Sequence, residues 1–240
     1  MTTLLFADFT MIYEMDGGPD GKREEVIQYR DSDTIKMSFH RKGEKHPDLT
    51  GEYILQGIRY TVLEEDGKLT YMNMDKIEKA LTKLTDEMNI GTGVNVPKEE
   101  RKPFFSLIKK LGKKQVAGIE GEIWDVESEE DGRRYREKIV VTDEREIVDA
   151  MKISIEALKR FGEGPYGMEI DHELETMMIL SDKYVLLSAE GMRFKSYSTR
   201  KIDDSVFELP REASNGMEGL PKMGKRKEEA GKRLLKSLLE

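Results

Sequence analysis

The sequence predicts an α+β fold: a curved, mostly antiparallel sheet with two or three helices packed on its concave face. Three observations predict it. A unit of strand, Asp-Gly turn, strand and helix occurs twice, over residues 52–84 and 118–158. The turns read Glu65-Asp66-Gly67 and Glu130-Asp131-Gly132, and such a pair between apolar runs marks a hairpin, because both central residues of a type I′ turn take positive φ. The segments outside these units alternate apolar and polar residues with period two, as half-buried strands do.

Taken in order, residues 8–16 place Phe9, Met11, Tyr13 and Met15 on one face of a first strand, and after a Gly-Gly-Pro-Asp-Gly turn residues 24–29 return as a second. Residues 34–40 form a third, with Ile35, Met37 and Phe39 inward and His40 toward solvent. The first unit supplies strands over residues 53–63, including Tyr60, and 68–74. Its helix, residues 76–89, has Ile77, Ala80, Leu81, Leu84 and Met88 on one stripe. Pro103 opens a short third helix in which Phe104, Leu107, Ile108 and Leu111 recur at helical spacing and Gly112 closes it.

The second unit has strands over residues 119–126, including Trp124, and 134–142. Its helix, residues 145–161, buries Ile147, Val148, Met151, Ile155 and Leu158. Both helices begin Asp-x-x-Glu, with Asp75 and Asp143 as N-caps and Glu78 and Glu146 three positions on. Strands follow over residues 177–180, 184–188 and 192–202, then a last edge piece, Asp203 to Pro210. About ten strands result, and a sheet that long must twist and curl. Three regions are expected: residues 1–7 as the remnant of an export signal, 8–210 as one domain, and 211–240 as a linker followed by a basic amphipathic helix.

Composition narrows the function. Apolar and charged residues each make up 37%; charged residues are usually about 25% of a chain, so the core is thin relative to the surface. The net charge of −8 argues against nucleic acid as a partner. Cysteine is absent, which excludes disulfides, thiolate zinc sites and thiol nucleophiles. The start, MTTLLFA, reads as the end of a secretory signal closing on Ala7, although the basic start and full apolar length of a signal are missing. A strand beginning at Leu4 is the plainer alternative.

The first strand DFTMIYEMD, the hairpin EYILQGIRYTVLEEDGKLTYMNMD, the segment VAGIEGEIWDV and the closing DDSVFELP resemble an uncharacterised family of exported bacterial proteins. That family is thought to share the half-barrel of the outer-membrane lipoprotein carriers, the LolA-like fold. The resemblance covers residues 8–210 and consists of strand and turn patterns. It implies a periplasmic location and an apolar hollow that holds an acyl chain, and it transfers no catalytic residue. The long second helix and the basic tail after Gly219 depart from it.

No motif supports an enzyme. Gly162-Glu163-Gly164-Pro165-Tyr166-Gly167 matches a dinucleotide pattern, but it follows a helix and contains Pro165, so it reads as a C-cap and turn. His40, His46 and His172 are scattered, and Asp203-Asp204 beside Ser205 is turn chemistry. Fourteen methionines, with Met72 near Met74 and Met177 beside Met178, raise copper(I) binding as an alternative. Several of them fall on core positions, where Met is an adaptable filler. The expectation is therefore a non-catalytic, cofactor-free periplasmic protein that binds a lipid or a lipoprotein acyl chain. Its hollow would be lined by Met11, Tyr13, Met37, Phe39, Tyr60, Leu81, Leu84, Trp124, Met151 and Ile155. The alternative is an envelope scaffold with a filled core. The tail from Lys222 to Glu240 is at +4 while the rest of the chain carries −12, so it is the expected contact to a membrane surface or a protein partner.

Overall fold

The structure, a computed structural model, describes residues 8–16, 21–40, 46, 48–87, 105–130, 133–162, 179–181 and 183–215. Thirteen described strands form one open sheet: β1 (Phe9–Asp16), β2 (Lys22–Asp31), β3 (Thr34–His40), β4 (Gly51–Leu55), β5 (Ile58–Glu65), β6 (Lys68–Asn73), β7 (Phe105–Val116), β8 (Ile119–Glu130), β9 (Arg133–Thr142), β10 (Ile179–Ser181), β11 (Tyr184–Ala189), β12 (Met192–Ser198) and β13 (Ser214–Asn215). The helices are α1 (Met74–Glu87) and α2 (Arg145–Gly162). The strand order is β13-β6-β5-β4-β3-β2-β1-β12-β11-β9-β8-β7, with β10 beside β11. All pairs are antiparallel except the short β13–β6 pair. No described helix is long and apolar enough to cross a membrane.

Several readings of the sequence need correction. The expected strand over residues 53–63 is two strands, because Gln56 and Gly57 both take positive φ (53° and 74°) and turn the chain, the geometry that Asp66 (52°) and Gly67 (72°) adopt one hairpin later. The expected third helix is β7. It pairs along its length with β8 through a turn at Ala117-Gly118, again with both φ positive. Register shifts at Ile108 and Leu111 break its alternation, which is why its apolar residues fall at spacings that mimic a helix.

The helix starts also differ. Asn73 Oδ1 accepts the Lys76 N–H of α1 (2.9 Å), so Asn73 and not Asp75 is the cap. Ahead of α2, Thr142 Oγ1 accepts the Glu144 N–H (3.1 Å) in place of an Asp143 cap. The segment expected as a last edge strand is a 3-10 turn, Asp204–Phe207, capped by Asp203.

The main core joins β1, β2 and β3 to β8, β9, β11, β12 and α2, and includes Phe9, Met11, Tyr13, Met37, Val126, Ile139, Met151, Ile155 and Phe194. Burial is continuous over Ile139, Val140 and Val141 and over Val185, Leu186 and Leu187, so both faces of the sheet are covered there. A second, smaller core of Tyr53, Val62 and Leu69 packs with Leu49, Tyr60, Tyr71, Leu209 and Ala213.

β1 lies mid-sheet and pairs with β12, Thr10 opposite Ser198, which joins the first described strand to the last long one. Arg30 locks this junction. Its guanidinium donates to both Asp8 oxygens (3.2 and 3.1 Å), to Asp204 (2.7 Å) and to the Ile202 carbonyl (2.7 Å), and lies over the Phe207 ring (4.7 Å). The charge-assisted bond from Arg30 holds the Asp8 carboxyl below its ordinary range, against partial desolvation. Arg30→Ala is expected to cost roughly 2 kcal/mol in urea unfolding, the worth of hydrogen bonds to charged groups. Arg30→Lys should restore only part, because an ammonium cannot reproduce the forked contact. An unchanged midpoint for the alanine variant would refute the junction's role.

Candidate functional site

Residues directly opposed on adjacent strands project to the same face of a sheet, so the register assigns faces without ambiguity. One row crosses six strands: Met11, Ile27, Met37, Glu52, Thr61 and Met72. A parallel row reads Phe9, Tyr29, Ile35, Ile54 and Arg59, and a third reads Tyr13, Glu25 and Phe39. These rows share one face. Tyr197, opposite Met11, has its phenol raised by burial and then by Glu146 and Asp149, which sets α2 beside this face.

The ten expected lining residues divide accordingly. Met11, Tyr13 and Met37 lie on this face, and Met151 and Ile155 of α2 join them in the main core. Phe39 occupies the same face by register, but its side chain and those of Leu81 and Leu84 on α1 lie outside the described ones. Tyr60 opposes Tyr53 in the row Thr10, Gln28, Lys36, Tyr53, Tyr60 and Asn73, which is the other face. Tyr60 therefore packs in the second core, apart from Met11. Trp124 belongs to the main core but sits on β8, with its ring against Tyr184 (4.8 Å) and its Nε1 donating to Glu122 (2.9 Å). Of the methionines behind the copper alternative, Met72 and Met74 are half-buried at the β6–α1 junction, and Met177 and Met178 lie outside the described residues. His40 contacts Asp48 (3.1 Å) and Ser38 (3.3 Å). Among the described residues, no group of three His, Cys, Asp or Glu side chains is placed to hold a metal.

The apolar reading missed the charges on this face. Glu25 is 2% exposed and Glu52 is 8% exposed. Neither carboxyl has a hydrogen bond or salt bridge among the described residues. Desolvation dominates both, pushing each up to about 7; Arg23 offsets it slightly for Glu25 and Arg59 for Glu52. The two lie ~12 Å apart at Cα by strand spacing and rise, too far to share a proton as a catalytic pair does. The signal was available in the sequence: Glu25 shares strand parity with Ile27, and Glu52 with Ile54.

Of the cations near them, Arg59 is held by other carboxylates and Arg23 is not. Arg23 Nη2 reaches the Met15 sulfur (3.9 Å), while its Nε is buried without a partner. Arg59 donates to Asp75 through its backbone N–H (3.2 Å) and its Nε (2.5 Å), and through Nη2 to Glu78. Tyr13, opposite Glu25, donates its hydroxyl to the Leu186 carbonyl (3.1 Å), and burial raises its phenol far above the usual range.

A pocket of about 760 Å³ lies elsewhere, between β7, β8, β9 and the β11–β12 turn. Lys109, Asp125, Arg136, Lys138 and Glu190 line it, Arg136 grips Asp125 with two bonds (2.8 and 2.6 Å), and none of the ten expected residues borders it.

The comparison found no family model, no curated protein and no solved structure similar to this chain.

Burial raises the folded-state pKa of Glu25 above its free value of 4.5, so the folded protein keeps a proton that the unfolded chain releases. Stability should therefore fall as pH rises from about 4.5 to about 7 and stay lower above that. Glu25→Gln is expected to raise stability near pH 8 by up to about 3 kcal/mol and to change it little near pH 4. Chemical denaturation across that range measures both, and an equal effect at the two ends would contradict it.

Proposed function

We propose that this is a non-catalytic periplasmic protein that binds an apolar ligand, a lipid or a lipoprotein acyl chain, between α2 and the Met11 face of the sheet. The observation that carries the reading is the convergence of Met11, Tyr13 and Met37 from the strands with Met151 and Ile155 from the helix in one apolar cluster. Methionine adapts to ligands of varied shape better than branched side chains do. A curled, LolA-like half-barrel is the finer form of this proposal. The open antiparallel sheet with its helix laid against one face supports it. Ligand burial at this face would contribute about 0.8 kcal/mol per CH₂ removed from water.

Purified protein extracted with organic solvent is expected to release an acyl-bearing species on mass spectrometry. Stripped protein should take up a neutral fluorescent lipid with a shift in the emission of Trp124, the only tryptophan in the chain. Absence of both signals would end the carrier reading.

A second reading, an envelope scaffold, draws on β7. It is a sheet edge among the described strands, with Leu107, Ile108 and Leu111 exposed. Two bulges and Lys109, Lys110, Lys113 and Lys114 shield that edge from strand addition, so this reading ranks behind carriage.

A further inference from the structure

We infer that the ligand of the Met11 face carries a protonated amine and that Glu52 receives it. This rests on the apolar-ligand reading above and specifies the ligand's polar end.

Glu52 stands between Met37 and Thr61 in the row that begins at Met11, so its carboxyl projects to the same face as the proposed lining. The residue is 8% exposed; its carboxyl oxygens keep a trace of solvent contact and have no hydrogen-bond or ion-pair partner among the described residues. Proteins pair their buried carboxyls almost without exception, because the unmet desolvation cost is high. The nearest cation, Arg59, shares this face: it opposes Ile54, two residues along β4 from Glu52. Asp75 and Glu78 at the start of α1 already hold Arg59. Among the described residues, three carboxylates thus bear on one guanidinium, and Glu52 is the one not bonded to it. An incoming donor completes the set, and the surplus negative charge selects a cationic head over an anionic one.

Glu25 is the contrasting site. It too is buried and unpartnered, but Arg23 is beside it on the same strand face, Tyr13 faces it from β1 and Phe39 lies opposite on β3. A single carboxyl next to a guanidinium offers an ammonium no net attraction. At ~12 Å from Glu52 it is also out of reach of the same head group.

The raised titration of Glu52, to about 7, adds a pH signature. Glu52 must ionise to hold an ammonium, while an alkylamine stays protonated to about pH 10, the range of a lysine side chain. Among the described residues, the charged group that acts on Glu52 is Arg59, which Asp75 and Glu78 hold, and its row neighbours Met37 and Thr61 do not titrate. Amine binding should therefore strengthen as pH rises through neutrality.

The test uses the full chain and three probes of equal chain length, dodecylamine, dodecanol and dodecanoate. Each is titrated by calorimetry below its micellar concentration, near pH 6 and near pH 8. At the higher pH dodecylamine is expected to bind about tenfold tighter than dodecanol, and dodecanoate weakest of the three. The preference should shrink several-fold at the lower pH, vanish in Glu52→Gln and persist in Glu25→Gln. Circular dichroism checks that both variants fold. Equal binding of the three probes, or a preference that survives Glu52→Gln, overturns the inference and leaves the apolar-ligand reading in place. Failure of all three probes to bind overturns both.

Discussion

The fold depends on the pairing of its first long strand with its last. β1 and β12 are the seam between β2–β6 on one side and β7–β11 on the other, and no other described ladder joins the halves. Forming that seam closes a loop of nearly the whole domain, so its entropy is spent before the contacts that offset it exist. The side chains at the seam match that demand. Phe9 stacks on Tyr29 at 4.9 Å, and Tyr13 meets Phe194 edge-on at 5.2 Å. Arg30 then ties Asp8, just before β1, to Ile202 and Asp204, just after β12. The segment DDSVFELP thus acts as a clasp on the N-terminal strand. The chain continues past it: Leu209 and Ala213 cover the second core, and β13 adds to the opposite edge of the sheet.

Strand parity distributes the chemistry from there. A β-strand gives alternate residues to opposite faces, so a register fixed at Met11–Ile27–Met37 fixes Lys36–Tyr53–Tyr60 on the other side. On β4 the two faces feed different apolar clusters, Ile54 the main core and Tyr53 the second, while on β9 and β11 both faces are covered by the main core. Backbone comes close to backbone at Gly51, where an added Cβ would sit 2.0 Å from the Met37 carbonyl oxygen at φ +137°. Only glycine lets β4 close onto β3 there.

Much of this was legible in the sequence, and the failures are instructive. β1 and β3 were read within a residue or two because alternation ran unbroken through them, α2 because helical spacing did, and β9 and β11 because each holds a short continuous apolar run. The hairpin at Asp66-Gly67 was found because its residues favour the geometry; those at Gln56-Gly57 and Ala117-Gly118 were missed because Gln and Ala do not advertise a positive φ. Bulges at Ile108 and Leu111 turned a strand into an apparent helix. Of the lining set, Met11, Tyr13, Met37, Met151 and Ile155 did come together, whereas Tyr60 fell to the other face: the unseen turn at Gln56 placed it on β5 opposite Tyr53, where a continuous strand had been assumed. Asn73 displaced Asp75 as a cap because Asp75 serves Arg59, a partner sixteen positions back that local pattern cannot reveal.

The treatment of buried charge separates the two faces most sharply. Lys36 is as buried as Glu25 and Glu52, and desolvation lowers its pKa, yet its ammonium donates to the Asp48 carbonyl and lies 5.1 Å from the Tyr53 ring centre. Arg30 and Arg59 likewise end among several acceptors. The fold thus gives Lys36, Arg30 and Arg59 polar acceptors, whereas the Nε of Arg23 is buried without one. Glu25 and Glu52 likewise lack a partner among the described residues, on the face that also holds the methionines, and a hydrophobic residue of similar size at either position would relieve the strain. Departures from local consistency of this kind are expected where a chain carries a function, which is the sense of the proposal made for this face. The local failure of the apolar pattern, more than its success, is what supports the proposal of a ligand at this face.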